Sequence, residues 1–163
     1  MISAQTRARI AALLGREPRG LEDVPVVSDS GEPMVIRVAS LVDDKPFPTL
    51  FWLVDPGLCL RIDRAEAAGL IRQFQQRIDA DPALQERLRQ DNLAHIRLRQ
   101  SFIDDLTAGR MQALGFGDVL AGKGIGGLGD FARVRCLHTW YAAHLVAPNT
   151  VGAMLDTWWA ESD

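Results

Sequence analysis

Apolar and polar positions divide the chain into a β-patterned first third and a helical remainder. Residues 3–14 carry Ile10, Leu13 and Leu14 at helical spacing behind Ser3, a good N-cap, and Gly15 stops the run. Three strand candidates follow: "VPVV" at 24–27, the β-branched "MVIRVASLV" at 34–42 and "TLFWLV" at 49–54. The turn-forming stretches "SDSGEP" and "DDKPFP" separate them, and connections this short favour an antiparallel meander.

From residue 63 the period lengthens. "DRAE" at 63–66 has the spacing of a capping box, with Asp63 at the cap and Glu66 reaching back, which predicts a helix to about Asp79. Asp81 and Pro82 predict the start of a second helix running to about Ala108, where Gly109 ends it. Leu84, Leu88, Ile96, Phe102, Ile103 and Leu106 form its apolar stripe. Arg87, Arg89, Arg97 and Arg99 fall among acids and read as its solvated face. A glycine-rich loop occupies 115–130, and helices from about Asp130 to Leu145 and Thr150 to Trp159 close the chain. The expected architecture is α+β over residues 1–163: a single domain with an N-terminal helix (1–14), a β-rich part (24–56) forming a small antiparallel sheet of three to four strands, a helical pair (63–108) and C-terminal helices (130–160), four to five helices in all.

At 163 residues, with 47% apolar and 24% charged side chains, the chain has enough surface to bury for a core of its own. A net charge of −3 and a pI near 5.6 argue against nucleic acid or an anionic membrane as a general partner. The chain shows no signal-peptide pattern and no apolar run of membrane-spanning length, so a cytoplasmic location with Cys59 and Cys136 reduced is the expectation.

The chemistry concentrates in "LAGKGIGGLGDFARVRCLHTWYAAHLV" at 120–146. Six glycines lie from Gly117 to Gly129, yet Lys123 is followed by Gly124 rather than Ser or Thr, so no Walker loop is present. Gly122, Gly124 and Gly127 match the letters of a dinucleotide fingerprint without the βαβ context that gives it meaning. A looser anion site fits better. Glycine-rich backbone can aim several N–H groups at one anion, and arginine forks suit carboxylate or phosphate. The candidate ligand-binding residues are Arg16, Arg19, Lys123, Gly124, Gly126 and Gly127. His138 would be the acid/base group, because its ordinary pKa lies near neutrality, and Arg135 the charge stabiliser. The small anionic ligand is not identified, and no cofactor follows from the pattern.

On a helix from about 130, Cys136, Trp140 and His144 share a face, while His138 lies about 200° from Cys136. That wheel predicts a buried, inert thiol. A second function class is a protein–protein module or homodimer. Adjacent Trp158 and Trp159 diverge by about 100° on a helix and cannot both enter one core. "PFPTLFWL" at 46–53 is a further apolar segment, in which the sequence leaves the isomers of Pro46 and Pro48 open.

"LGREPRG" at 14–20, "PFPTLFWLVDP" at 46–56, "RAEAAGLI" at 64–71, "GIGGLGD" at 124–130, "RCLHTWYAAHL" at 135–145 and "PNTVG" at 148–152 together resemble a bacterial family known as domain of unknown function 501. The resemblance covers nearly the whole chain and implies no established activity. Family members often read Cys-Pro at 55–56 and a histidine at 140. The resemblance therefore implies a Cys2His2 metal set of which this chain, with Asp55 and Trp140, keeps Asp55, Cys136 and His144 as candidate ligands.

Overall fold

The computed structural model describes residues 1–162. Helix α1 (Ala4–Leu14) is capped by Ser3, whose hydroxyl accepts the Thr6 amide at 3.1 Å. Strands β1 (Leu21–Val27), β2 (Pro33–Val38) and β5 (Phe51–Leu53) form one antiparallel sheet in the order β1-β2-β5. Strands β3 (Leu41–Val42) and β4 (Lys45–Pro46) form a separate two-stranded ribbon. The apolar run at 34–42 is thus two strands rather than one. Asp43 and Asp44, both with positive φ (50° and 60°), make the tight turn between β3 and β4, a conformation that Asp tolerates better than most residues. Arg110 holds the Asp44 carboxylate with two hydrogen bonds, at 3.1 and 2.6 Å.

The sheet separates two apolar layers, as a period of two requires. Ile36 and Val38 of β2 face α1 and pack with Ile10 and Leu21. Val35, Phe51 and Leu53 face the main core beneath the remaining helices. These are α2 (Pro56–Ala67), α3 (Leu70–Asp79), α4 (Pro82–Ser101), α5 (Asp105–Ala113), α6 (Leu137–Val146) and α7 (Thr150–Ser162). Helix α6 runs through the centre. Leu137, Trp140, Tyr141, Ala142 and Ala143 are all buried, so it carries no wet face of ordinary width.

The α+β class and the small antiparallel sheet hold. The helices number seven among the described residues because chain breaks fall where local spacing does not show them. Helix α2 begins at Asp55, whose carboxylate accepts the Leu58 amide at 2.8 Å with Pro56 in the first turn, so Asp63 lies inside this helix and does not cap it. Gly69, at φ 86°, separates α2 from α3. Helix α4 starts at the expected Asp81–Pro82 pair but stops at Ser101. Asp104 then caps α5 through the Thr107 amide at 2.7 Å, so Gly109 sits within a helix.

The last helical pair starts late on its first member. Residues 130–136 are not helical because side chains from α3 and α4 hold their backbone. Gln75 donates to the Ala132 carbonyl and accepts the Val134 amide, both at 2.9 Å, and Asn92 donates to the Phe131 carbonyl at 3.2 Å. Asn92 also accepts the Ile125 amide at 2.8 Å, fixing the short 3₁₀ turn Ile125–Gly127 in which Gly126 and Gly127 adopt φ of 73° and 77°.

Arg99, placed by its spacing on the wet face of α4, is instead 1% exposed. Its Nη1 donates to the carbonyls of Leu120 (3.0 Å) and Lys123 (2.6 Å), and its Nη2 to those of Pro48 (2.8 Å) and Gly124 (3.3 Å). Burial lowers its pKa to about 10, which leaves it charged at neutral pH. Arg99→Met would strip four buried carbonyls of their donors and is expected to cost about 3–5 kcal/mol in urea denaturation. The exposed Arg133→Ala is expected to stay within about 0.5 kcal/mol.

His95, one turn before Arg99, is buried with its ring edge-on to Phe51. Burial first, and the Arg99 charge second, hold its pKa down at about 4 from an ordinary 6.5. The unfolded chain therefore takes up this proton before the folded one does. The stability that neutral His95 contributes is full above pH 6.5 and is lost as pH falls from there to about 4, on the order of 3 kcal/mol. Chemical denaturation across that range should show the decline, and His95→Gln should flatten it.

Candidate metal centre

Helix α2 and the start of α6 meet through hydrogen bonds to two acids of α2. Glu66 Oε2 accepts the Leu137 amide, the first of α6, at 2.9 Å. That amide has no partner within its own helix, so Glu66 caps α6 from a distance of 71 residues in sequence. Asp63 lies one turn earlier on the same face of α2 and accepts from His138 Nε2 at 2.8 Å. The two acids expected to cap their own helix therefore both serve another one.

Cys136 is the N-cap of α6, with extended backbone (φ −143°, ψ 114°). Because it precedes the helix, the helical wheel does not apply to it, and Cys136 and His138 come together rather than apart. Cys136 Sγ lies 3.8 Å from His138 Nδ1, and Glu66 Oε1 lies 3.5 Å from the same nitrogen. The donor atoms of Glu66, Cys136 and His138 lie within 4.8 Å of one another, the one such three-donor group among the described residues. The His138 and Glu66 side chains are each 25% exposed.

The electrostatics of the pair run in opposite directions. Burial pushes the Cys136 thiol up, but the His138 hydrogen bond, the Thr139 amide and the imidazolium charge outweigh it and leave the thiol below its ordinary value. The positive end of α6 works in the same sense. His138 is raised to about 9, chiefly by its hydrogen bond to Cys136; burial opposes this, and the charges of Glu66 and Cys136 and the Asp63 hydrogen bond add to it. Cys136 is therefore not the inert buried thiol that the wheel suggests.

The remaining candidate residues lie elsewhere. Asp55 caps α2. His144 accepts the Asn149 amide at Nδ1 and bonds Asp156 through Nε2, both at 2.9 Å, which ties α6 to α7. Asp55, Cys136 and His144 do not form a donor group. Trp140 is 1% exposed and fills the core. In the glycine loop, the amides of Lys123, Gly124 and Gly127 donate to the carbonyls of Leu120, Leu128 and Gly124, and that of Ile125 to Asn92. The carbonyls of Leu120, Lys123 and Gly124 in this loop turn toward the Arg99 guanidinium. Arg135 is exposed next to Cys136.

Arg16 and Arg19 line a separate hollow of about 250 Å³ with Phe47 and Trp52, to which no residue of 122–138 contributes. Arg16 lies 5.2 Å from the Trp52 ring, and Arg19 pairs with Asp43 at 3.0 Å. Trp159 is buried against Tyr141 while Trp158 is half-buried. Among the described residues no peptide bond is cis, those of Pro46 and Pro48 included.

The molecule is thus an α+β protein with a carboxylate–thiol–imidazole cluster where two helices meet. A model of the family described as "Protein of unknown function (DUF501)" matches residues 24–157, and the chain belongs to that family. The match includes Asp63, Glu66, Cys136 and His138. No curated protein and no solved structure matches the chain.

The raised histidine and lowered thiol make Cys136 the faster of the two cysteines toward iodoacetamide at pH 7 with a metal chelator present. A ratio of roughly tenfold is expected by peptide mass mapping. Cys59 is the internal reference: burial, then the Asp63 and Asp55 carboxylates, push its thiol up. His138→Ala should abolish the preference. Equal rates in the native protein would remove the thiolate–imidazolium pairing.

Proposed function

We propose that the protein binds a divalent transition metal of the zinc kind through Glu66 Oε1, Cys136 Sγ and His138 Nδ1. The observation that carries this reading is the convergence of these three donors on one point. At ordinary zinc–sulfur and zinc–nitrogen lengths, two ligands on a tetrahedral edge are about 3.5 Å apart. The separations of 3.8 and 3.5 Å are loose for hydrogen bonds and near this edge length.

The surroundings support the same assignment. His138 Nε2–H is held by Asp63, so the proton a metal would displace is the one on Nδ1, and a carboxylate behind a ligating imidazole is the usual outer-shell arrangement. Glu66 is steadied through Oε2 by the Leu137 amide, which leaves Oε1 for coordination. The lowered thiol favours the thiolate that a metal requires.

Three protein ligands leave a coordination position for water or an oxygen-donor ligand, the pattern of catalytic rather than structural zinc. The small anionic ligand expected from the sequence would bind there, with Arg135 next in the chain. A metal would lower the pKa of bound water to about 7 and supply the nucleophile or acid–base group. His138 would then hold the metal rather than move protons.

Untagged protein titrated with Co²⁺ should show a sulfur-to-metal charge-transfer band and visible bands of four-coordinate intensity, saturating at about one equivalent. Cys136→Ser and His138→Ala should abolish the sulfur band. Asp63→Asn should weaken Zn²⁺ binding roughly ten- to hundredfold in competition with a chromophoric chelator. Absence of stoichiometric binding, or binding unchanged by loss of Cys136 and His138, would overturn the assignment.

A further inference from the structure

The smaller apolar layer, between α1 and the sheet, opens into a hollow of about 250 Å³ where α1 ends. Ile36, Val38, Phe47 and Trp52 give the hollow its apolar lining. The rings of Phe47 and Trp52 lie nearly parallel, 8° apart with 5.7 Å between their centres. The indole N–H is held by the Thr49 carbonyl at 3.3 Å, which fixes the larger ring. The ribbon β3–β4 supplies further wall, and both residues of its turn are tied down. Arg110 holds Asp44, and Arg19 pairs with Asp43 at 3.0 Å. Beside the ribbon, Gly20 packs so closely that a Cβ there would lie 2.7 Å from a Val42 methyl. Walls fixed in this way leave little to be ordered when the hollow fills.

The solvent edge of the hollow carries charge without partners. The Arg16 guanidinium lies 5.2 Å from the centre of the Trp52 ring, so an aromatic side chain of the lining itself sets its place. Arg16 is exposed, and among the described residues its side-chain N–H groups meet no acceptor. Lys45 is likewise exposed on the wall and has no carboxylate partner. Arg19 and Asp43 neutralise each other, and Glu17 is the remaining acid of the lining. Two unpaired cations against one acid leave a single positive charge in excess. Apolar walls with a few convergent polar groups are the arrangement of a small-ligand site, and here the guanidinium fork is free to bind.

We propose that this hollow binds an aromatic monocarboxylate, its ring against the Phe47–Trp52 side and its carboxylate on the Arg16 guanidinium. The parallel rings offer a flat apolar surface, which an aromatic body covers better than a compact aliphatic one. The single excess charge suits a singly charged acid, and the planar fork of Arg16 matches the two oxygens of a carboxylate. The inference is independent of the metal centre, which shares no residue with the hollow.

The test is a thermal-shift and calorimetric titration with naphthoate and indoleacetate, run beside naphthamide, indoleacetamide and inorganic phosphate. A metal chelator is present throughout, so that no carboxylate binds through a metal. The two acids should bind saturably and raise Tm by roughly 3–6 °C at about tenfold excess over Kd, and the amides and phosphate should not. Arg16→Gln changes an exposed side chain and is expected to fold, which circular dichroism checks. It should bind both acids at least about tenfold more weakly, the loss expected for a charge-assisted contact. Arg133→Gln, the same charge change at an exposed arginine outside the hollow, and Cys136→Ser should both respond like the native protein. Equal shifts from acids and amides, undiminished binding in folded Arg16→Gln, or no saturable response to either acid would each overturn the proposal.

Discussion

The Arg99 guanidinium joins three stretches of chain that share no ladder or helix: Pro48 after β4, the turn ending at Leu120, and Lys123–Gly124 at the head of the 3₁₀ turn. Backbone in such loops has carbonyls that regular structure does not satisfy, and burying them bare is costly. A single planar cation with several donors can meet them together. Two neutral amides extend the work along the same chain. Asn92 bridges Ile125 and Phe131, and Gln75 bridges Ala132 and Val134. Residues 120–136 are thus bound by a row of side chains on α3 and α4, and the row ends where Cys136 enters α6. The row thus leads the chain to the point where Glu66 and Asp63 of α2 take the start of α6.

The same dependence explains what the sequence could and could not disclose. Strands and their turns are readable because they depend on local alternation and on Gly, Pro and Asp chemistry. The Asp81–Pro82 helix start is readable for the same reason. Arg99 is not readable, because its partners are backbone carbonyls, which look alike at every position. Spacing alone places it with Arg87, Arg89 and Arg97 on the wet side of α4. The glycine loop is only partly readable for a related reason: Gly126 and Gly127 supply positive φ beside Thr139 and Pro48, and the carbonyls of Lys123 and Gly124 point at Arg99, neither of which the spacing of glycines shows.

His138 was legible as the residue with chemistry, but its partners were only half visible. "DRAE" has the letters of a capping box and is one in function: Glu66 does cap a helix. That helix is α6 rather than the one that carries it. A wheel that starts at Asp130 turns Cys136 away from His138, whereas the helix starts one residue after Cys136. An error of seven residues in one boundary thus turned a contact into a 200° separation. The late start is imposed by Gln75 and Asn92 from other helices, and no signal for it exists between residues 130 and 136.

Charge gives the cluster and the buried arginine opposite needs. At the α2–α6 junction, two carboxylates and a thiol surround one imidazolium, so negative charge is in excess where the donors converge. At the end of α4, one cation lies among carbonyl dipoles with no anion facing it. The excess at the junction does not help folding, since the gathered acids must be desolvated, whereas the buried cation does, because the carbonyls around it have no other donor. A divalent cation at the junction would supply the charge that the surrounding side chains lack.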